Sequence, residues 1–179
     1  MSIETNWYVI TGGPSSGKTK VIEYLAFLGY FVIPEVARIL IDLEISKGKL
    51  IEEIRSDKIK FQKKVLEMKI KIEDKISPER LTFFDRGIPD SIAYDQIYGL
   101  DIEQTAIMFR KRRYKKIFLL EQVPFRKDYG RVEDEKFANN ISGLLYKSYL
   151  DLGYNVLKIP KMPIDKRAEF ILKEIKKDN

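Results

Sequence analysis

The sequence predicts an α/β fold: a five-stranded parallel sheet covered by helices on both faces. Three observations predict it. Five short β-type runs alternate with helical patterns along the 179 residues, and strands joined through helices pair in parallel. Pro34, Pro78, Pro89, Pro124, Pro160 and Pro163 all fall at the boundaries between these segments. Gly29 and Gly153 stand where a helix has to stop before a strand, the place for a residue that tolerates a left-handed backbone.

In order, strands are expected at Trp7–Thr11, Tyr30–Ile33, Leu81–Asp85, Lys116–Glu121 and Asn155–Ile159. Helices are expected at roughly 17–28, 35–47, 50–76, 89–113 (broken near Gly99), 134–152 and 164–176. The long helix at 50–76 carries Ile54, Phe61, Val65, Met68, Ile72 and Ile76 at steps of three and four, with one step of seven; that seam reads as core and its lysines as solvated. Phe137, Ile141, Leu144, Leu145 and Ser148 make a second stripe, and Ile164, Ala168, Ile171, Leu172 and Ile175 a third. With no repeat, low-complexity tract or linker, residues 1–179 read as one domain.

Composition narrows the chemistry. The chain has no cysteine and no histidine, which removes disulfides, thiolate nucleophiles, imidazole bases and most zinc sites. A metal would sit on oxygen ligands, as Mg²⁺ does, and catalysis would fall to carboxylates, cations and backbone groups. The formal charge of +6 points to an anionic partner, a phosphorylated small molecule as readily as a nucleic acid. No run is long and apolar enough for a membrane span, and the N-terminus lacks a signal-peptide pattern, so the cytoplasm is the default location.

The most specific stretch is Gly12-Gly13-Pro14-Ser15-Ser16-Gly17-Lys18-Thr19, between the first strand and the first helix. It matches G-x-x-x-x-G-K-[ST] in the strand–loop–helix setting that the motif needs. Such a turn aims successive backbone N–H groups inward, and the following helix N-terminus adds partial positive charge. Lys18 is then suited to the β- and γ-phosphates and the Thr19 hydroxyl to Mg²⁺. The prediction is a bound nucleoside triphosphate, ATP with Mg²⁺.

In an open parallel sheet the ligand lies beyond the carboxyl ends of the strands, so residues leaving each strand are the candidates. Leu81-Thr82-Phe83-Phe84-Asp85 is an apolar strand ending in a carboxylate that can hold the metal, with Arg86 beside it to neutralise phosphate. The bland readings are a helix cap or turn for Asp85 and an ion pair with Asp85 or Asp90 for Arg86. Glu35 and Arg38 share one face at the start of the helix after Pro34; Glu35 can take an acceptor proton while Arg38 fixes the acceptor, or the two form a surface pair. Phe125 to Arg131 follows the fourth strand and reads as a mobile lid over about 124–136, bringing Arg126 or Arg131 over the transferring group. The run Arg110 to Lys116 lies on the opposite rim and reads as a solvated helix end, which makes nucleic acid an unlikely partner.

With these residues in place the chain resembles the P-loop nucleoside and nucleotide kinase group. More closely it looks like the predicted ATPase/kinase family labelled an AAA domain, related to the nicotinamide riboside kinase portion of NadR proteins. The resemblance rests on Gly12 to Thr19, Pro34 to Arg38, Asp85-Arg86-Gly87-Ile88-Pro89-Asp90-Ser91-Ile92-Ala93-Tyr94, and the Arg126 to Glu135 segment. It implies a three-layer sandwich with strand order 2-3-1-4-5. It further implies Glu35 as the acceptor-side carboxylate, Arg38, Arg86, Asp90 and Tyr94 around the acceptor, Arg126 and Arg131 as lid arginines, and Lys161 beside the adenine. The added helical domain of AAA machines is missing.

The expected function is therefore a small-molecule kinase. The alternative is a nucleotide-dependent regulatory or binding ATPase acting with a nucleic-acid or protein partner. A regulatory GTPase lacks its Asn-Lys-x-Asp motif here, and a transporter ATPase its LSGGQ-type signature. The acceptor itself has no motif, because specificity resides in pocket shape.

Overall fold

A computed structural model of the chain describes residues 3–100, 112–122 and 135–177. Its centre is a five-stranded parallel sheet of β2 (Trp7–Thr11), β3 (Phe31–Ile33), β4 (Thr82–Asp85), β6 (Lys116–Leu120) and β7 (Val156–Ile159), ordered β3-β4-β2-β6-β7. Counting only these strands along the chain gives the order 2-3-1-4-5 expected above. The strand leading into the glycine-rich loop is central, with Ile10 level with Asp85 on one side and Phe118 on the other. Two further short strands, β1 (Ile3–Glu4) and β5 (Arg112–Arg113), pair in parallel as a separate ribbon.

Alternation along β2 builds the layers. Trp7 and Val9 face one side, with Ala93 from α5 (Pro89–Tyr98), Ile88 just before it, and Ile141, Leu145 and Tyr149 from α6 (Glu135–Asp151). Tyr8 and Ile10 face the other, with Val21, Ile22 and Leu25 from α1 (Lys18–Phe27) and Ala168, Ile171 and Ile175 from α7 (Ile164–Lys176). Successive strand residues point to opposite faces, so a run apolar at every position marks a sheet buried on both sides. A third cluster joins Val36, Leu40 and Ile41 of α2 (Val36–Ser46) to Phe61 and Val65 of α4 (Lys58–Glu73). No helix among the described residues is long and apolar enough to cross a membrane.

Four expectations need correction. The helix at 50–76 is two helices, α3 (Ile51–Ser56) and α4, because Asp57 leaves helical geometry and its carboxylate caps α4 by accepting from Lys60 N at 2.9 Å. The seven-residue step from Ile54 to Phe61 spans that break. The helix expected over 89–113 is broken where anticipated, after Tyr98 with Gly99 as its cap, residues 101–111 lie outside the described residues, and at the far end Arg112–Arg113 form a strand instead of helix. The described part of the basic run is accordingly no solvated helix end: Arg112 pairs with Asp74 at 2.8 Å, and Arg113 donates to the carbonyls of Leu152 and Gly153. Finally, the lysines of α4 do not all face solvent, since Lys69 is buried.

Candidate functional site

The site forms where β2, β4 and β6 end. Gly12 has φ +148°, and a Cβ there would lie 2.7 Å from the Leu120 carbonyl and 2.8 Å from Ser16 Oγ. Only glycine lets the loop pass so close to the end of β6. Ser15 also takes a left-handed backbone, φ 61°. Gln122, leaving β6, donates its amide to the Pro14 carbonyl at 2.7 Å. The Lys18 ammonium is folded onto the loop, 2.8 Å from the Gly13 carbonyl and 3.2 Å from Ser16 Oγ.

Thr19 and Asp85 meet at the start of α1, with Thr19 Oγ1 donating to Asp85 Oδ2 at 3.2 Å. Asp85 Oδ1 is buried and accepts no hydrogen bond among the described residues. Burial, reinforced by the Glu35 charge, pushes the Asp85 carboxyl up to about 6, against the pull of Lys18 and Arg86. A hydroxyl and a carboxylate oxygen side by side beneath a phosphate loop fit Mg²⁺, which takes few protein ligands and completes its shell with water and phosphate. The glycine cradle, Lys18 and this pair together fit a triphosphate with its metal.

Arg86 organises the neighbouring part of the site. It has φ 71°, a conformation disfavoured for a side chain of its size, and four contacts hold it. Its guanidinium donates to Glu35 Oε1 at 3.0 Å, to the Gly12 carbonyl at 3.1 Å and to Asp90 Oδ1 at 3.1 Å, and lies over the Tyr94 ring at 5.6 Å from the centroid. Glu35 stands immediately before α2, so the strand exit delivers its carboxylate to Arg86. Asp90 is wholly buried and also accepts from Thr11 Oγ1 at 2.6 Å, from the Gly87 amide at 2.9 Å and from the Tyr149 hydroxyl. Its place is beneath Arg86. Beside these residues a cleft of about 700 Å³, its open mouth included, is lined by Glu35 and Arg38 of the α2 start, Gln62 and Lys69 of α4, and Arg86 and Tyr94.

Glu35, Arg38, Arg86 and Tyr94 therefore share one cleft, next to the loop that carries Lys18 and Thr19. Lys161 is exposed in the turn after β7, on the same edge of the sheet. Arg126, Arg131 and nearly all of the 124–136 segment lie outside the described residues.

Sequence reasoning missed a buried layer behind the site. Lys69 Nζ donates to the Gly87 carbonyl at 2.7 Å and Ser91 Oγ at 3.3 Å; burial pulls its ammonium down from the ordinary lysine range, with Asp90 opposing. The Tyr114 hydroxyl accepts from the Ile88 amide at 2.9 Å and donates to Glu73, while the Tyr149 hydroxyl accepts from the Gly87 amide at 3.2 Å. A signal existed: Phe61, Val65, Lys69 and Glu73 are spaced by four, so the last two continue the buried stripe. Arg167 was missed as well. It is 2 % exposed and reaches the Ser16 and Glu121 carbonyls.

Comparison with known proteins agrees with this architecture. The model of a family described as an AAA domain matches residues 7–167. Among solved structures, a deoxyadenosine kinase from M. mycoides with bound dCTP superposes with TM-score 0.67 at 14% identity, covering 96% of this chain and 99% of that one. A NadR protein in complex with NR gives TM-score 0.70 at 16% identity, over 97% of this chain and 50% of that one. A NadR protein with NAD and AMP-PNP gives 0.70 at 17% identity, over 97% of this chain and 49% of that one. These likenesses establish the fold as that of P-loop kinases. No curated protein matches the chain.

Proposed function

The chain belongs to the AAA domain family, and from that premise we propose that it is an ATP- and Mg²⁺-dependent kinase of a small molecule, working as a single domain in the cytoplasm. The observation that carries the proposal is the position of Glu35. Its carboxylate is held by Arg86 Nε at 3.0 Å in a cleft that opens beside the phosphate loop. A plain nucleotide-binding module has no need of a carboxylate held there.

In this reading the backbone N–H groups of the Gly12 to Thr19 loop, Pro14 having none, and the Lys18 ammonium bind the β- and γ-phosphates. Thr19 and Asp85 would hold Mg²⁺, which would supply positive charge to neutralise the phosphates. Glu35 accepts the proton of the acceptor hydroxyl as its oxygen attacks the γ-phosphorus in line; the bond to the β-phosphate oxygen breaks and ADP leaves. A phosphate acceptor arrives already ionised and needs only orientation. Arg86, joined by Arg126 or Arg131 from the lid, stabilises the equatorial oxygens. Arg38 and Tyr94 position the acceptor, Asp90 holds Arg86 in place, and Lys161 lies toward the adenine.

The test is ADP release from ATP and Mg²⁺ across nucleosides, ribosides and nucleotides, with Lys18→Ala as the blank. Stimulation by one compound, lost in Lys18→Ala and in Glu35→Gln, is expected. Tight ATP binding without stimulation by any of them would overturn the kinase reading in favour of a nucleotide-gated binding ATPase.

A further inference from the structure

Lys69 ties the wall of the cleft to the turn that carries Arg86. Helix α4 lines the cleft with Phe61, Gln62, Val65 and Lys69. From there the Lys69 ammonium donates to the Gly87 carbonyl at 2.7 Å and to Ser91 Oγ at 3.3 Å. The Asp90 amide reaches the same carbonyl at 3.3 Å, but it belongs to the turn itself. The N–H end of that peptide, on Ile88, donates to the Tyr114 hydroxyl at 2.9 Å, and Tyr114 in turn donates to Glu73. Lys69 and Glu73 stand one turn apart on α4. One helix therefore grips the Gly87–Ile88 peptide at both ends, directly at the oxygen and through a tyrosine at the nitrogen.

Arg86, one residue earlier, has the left-handed φ of 71°. A long side chain keeps such a backbone only where its surroundings impose it. On the near side the Arg86 amide donates to the Ile10 carbonyl at 3.1 Å. On the far side Asp90 and Tyr149 take the Gly87 amide, and Lys69 secures the Gly87 carbonyl. Neither cation is in surplus: the Glu35, Asp90 and Asp85 carboxylates act on Arg86, and those of Asp90, Glu73 and Glu35 act on Lys69. Packing alone gives no reason for an ammonium at this point of α4, since a methionine would fill similar space without the cost of burying a charge.

We infer that Lys69 is a positioning residue for phosphoryl transfer: by holding the Gly87 carbonyl to α4 it fixes Arg86 in its left-handed backbone and keeps the cleft wall and the arginine in register. The inference rests on the kinase reading of the cleft. An acceptor seated against Phe61, Gln62 and Val65 is then presented to Arg86 and Glu35 by the same helix that holds the arginine's turn.

The test compares Lys69→Met with the parent. Lys69→Met/Glu73→Gln, which removes the neighbouring carboxylate charge as well, serves where the single variant does not fold. Solvent exchange of the Arg86 Nε–H, which donates to Glu35 at 3.0 Å, is followed by ¹⁵N NMR and assigned by its loss in Arg86→Lys. The indole N–H of Trp7, bonded to the Ser77 carbonyl at 3.1 Å, is the internal control. Exchange at Arg86 is expected to quicken by about fivefold or more while Trp7 stays as it was. In ADP release from ATP and Mg²⁺ over the panel of nucleosides, ribosides and nucleotides, kcat should fall by about tenfold or more, with acceptor KM and AMP-PNP affinity within about threefold. Unchanged exchange at Arg86, equal quickening at Trp7, or a loss of AMP-PNP affinity as large as that of kcat would overturn the inference. The two readings fail separately. A parent that releases no ADP with any compound sinks the kinase, and exchange still decides whether Lys69 holds Arg86; an active parent whose kcat survives the substitution sinks Lys69 and leaves the kinase standing.

Discussion

Arg167 Nη1 donates to the Ser16 carbonyl at 2.5 Å, joining the last helix to the phosphate loop across 151 positions of sequence. Nη2 of the same guanidinium reaches the Glu121 carbonyl at 3.2 Å, at the exit of β6. One side chain thus ties the loop, the sheet edge and α7 together. It fixes the direction of the peptide just ahead of Gly17 and Lys18.

Arg167→Ala should therefore weaken nucleotide binding as well as the fold. The buried Ser16 carbonyl and the partly exposed Glu121 carbonyl lose their donor, a cost of about 1–3 kcal/mol, set mainly by the buried one. ATP affinity, measured by calorimetry at a temperature where the variant is folded, should fall about tenfold or more, the equivalent of ~1.4 kcal/mol in loop positioning. Arg167→Lys restores the charge without the fork and should recover stability better than affinity. Full affinity in Arg167→Ala would show that the loop holds its shape alone.

The Thr19–Asp85 pair makes a separate prediction about the metal. Asp85→Asn keeps the acceptor for Thr19 and removes the negative charge. ATP affinity in the variant should lose most of its dependence on Mg²⁺, read by titrating ATP with and without the ion. The fold should hold or tighten, because burial already raises the carboxyl to about 6. An unchanged Mg²⁺ response would take Asp85 out of the metal site.

Local chemistry wrote the loop and the strand exits plainly into the sequence. Gly12 to Thr19 has one meaning between a strand and a helix, and Asp85 and Glu35 stand where parallel strands present residues to a ligand. Pairings across long separations left no such trace. Arg167 lies beside an apolar stripe and reads as solvated until α7 is docked on the loop. Lys69 and Glu73 sit in register with Phe61 and Val65, yet charge outweighed spacing in reading them. The break at Asp57 depends on a side-chain cap, and its one trace in the apolar seam is the seven-residue step from Ile54 to Phe61.

Gly87 tests how tightly the turn carrying Arg86 is clamped. A Cβ on it would come within 2.8 Å of the Tyr149 hydroxyl and 2.9 Å of the Tyr114 ring and hydroxyl, so Gly87→Ala should cost about 1–3 kcal/mol through overpacking. Tyr149→Phe removes the donor to Asp90 and the acceptor for the Gly87 amide, and should cost a similar 1–3 kcal/mol. In both variants Arg86 loses support, so acceptor turnover should fall more than ATP binding does. Equal losses in the two would mean that the clamp serves the fold alone.

Glu73 gives the protein a pH dependence away from the phosphates. Burial pushes its carboxyl from 4.5 up to about 7, with the Tyr114 hydroxyl and Lys69 partly opposing. Below about pH 4.5 the folded and unfolded chains both hold the proton, and Glu73 makes no difference between them. From there to about pH 7 the folded chain retains a proton that the unfolded chain releases, so stability falls as pH rises and levels off above that range. Glu73→Gln keeps an oxygen to accept from Tyr114 and abolishes the titration, while Lys69 is common to both proteins. The variant should gain on the parent between pH 5 and pH 8 by on the order of 1–3 kcal/mol, measured by urea denaturation at several pH values. Parallel stability curves would mean that Glu73 ionises in the folded protein as it does in water.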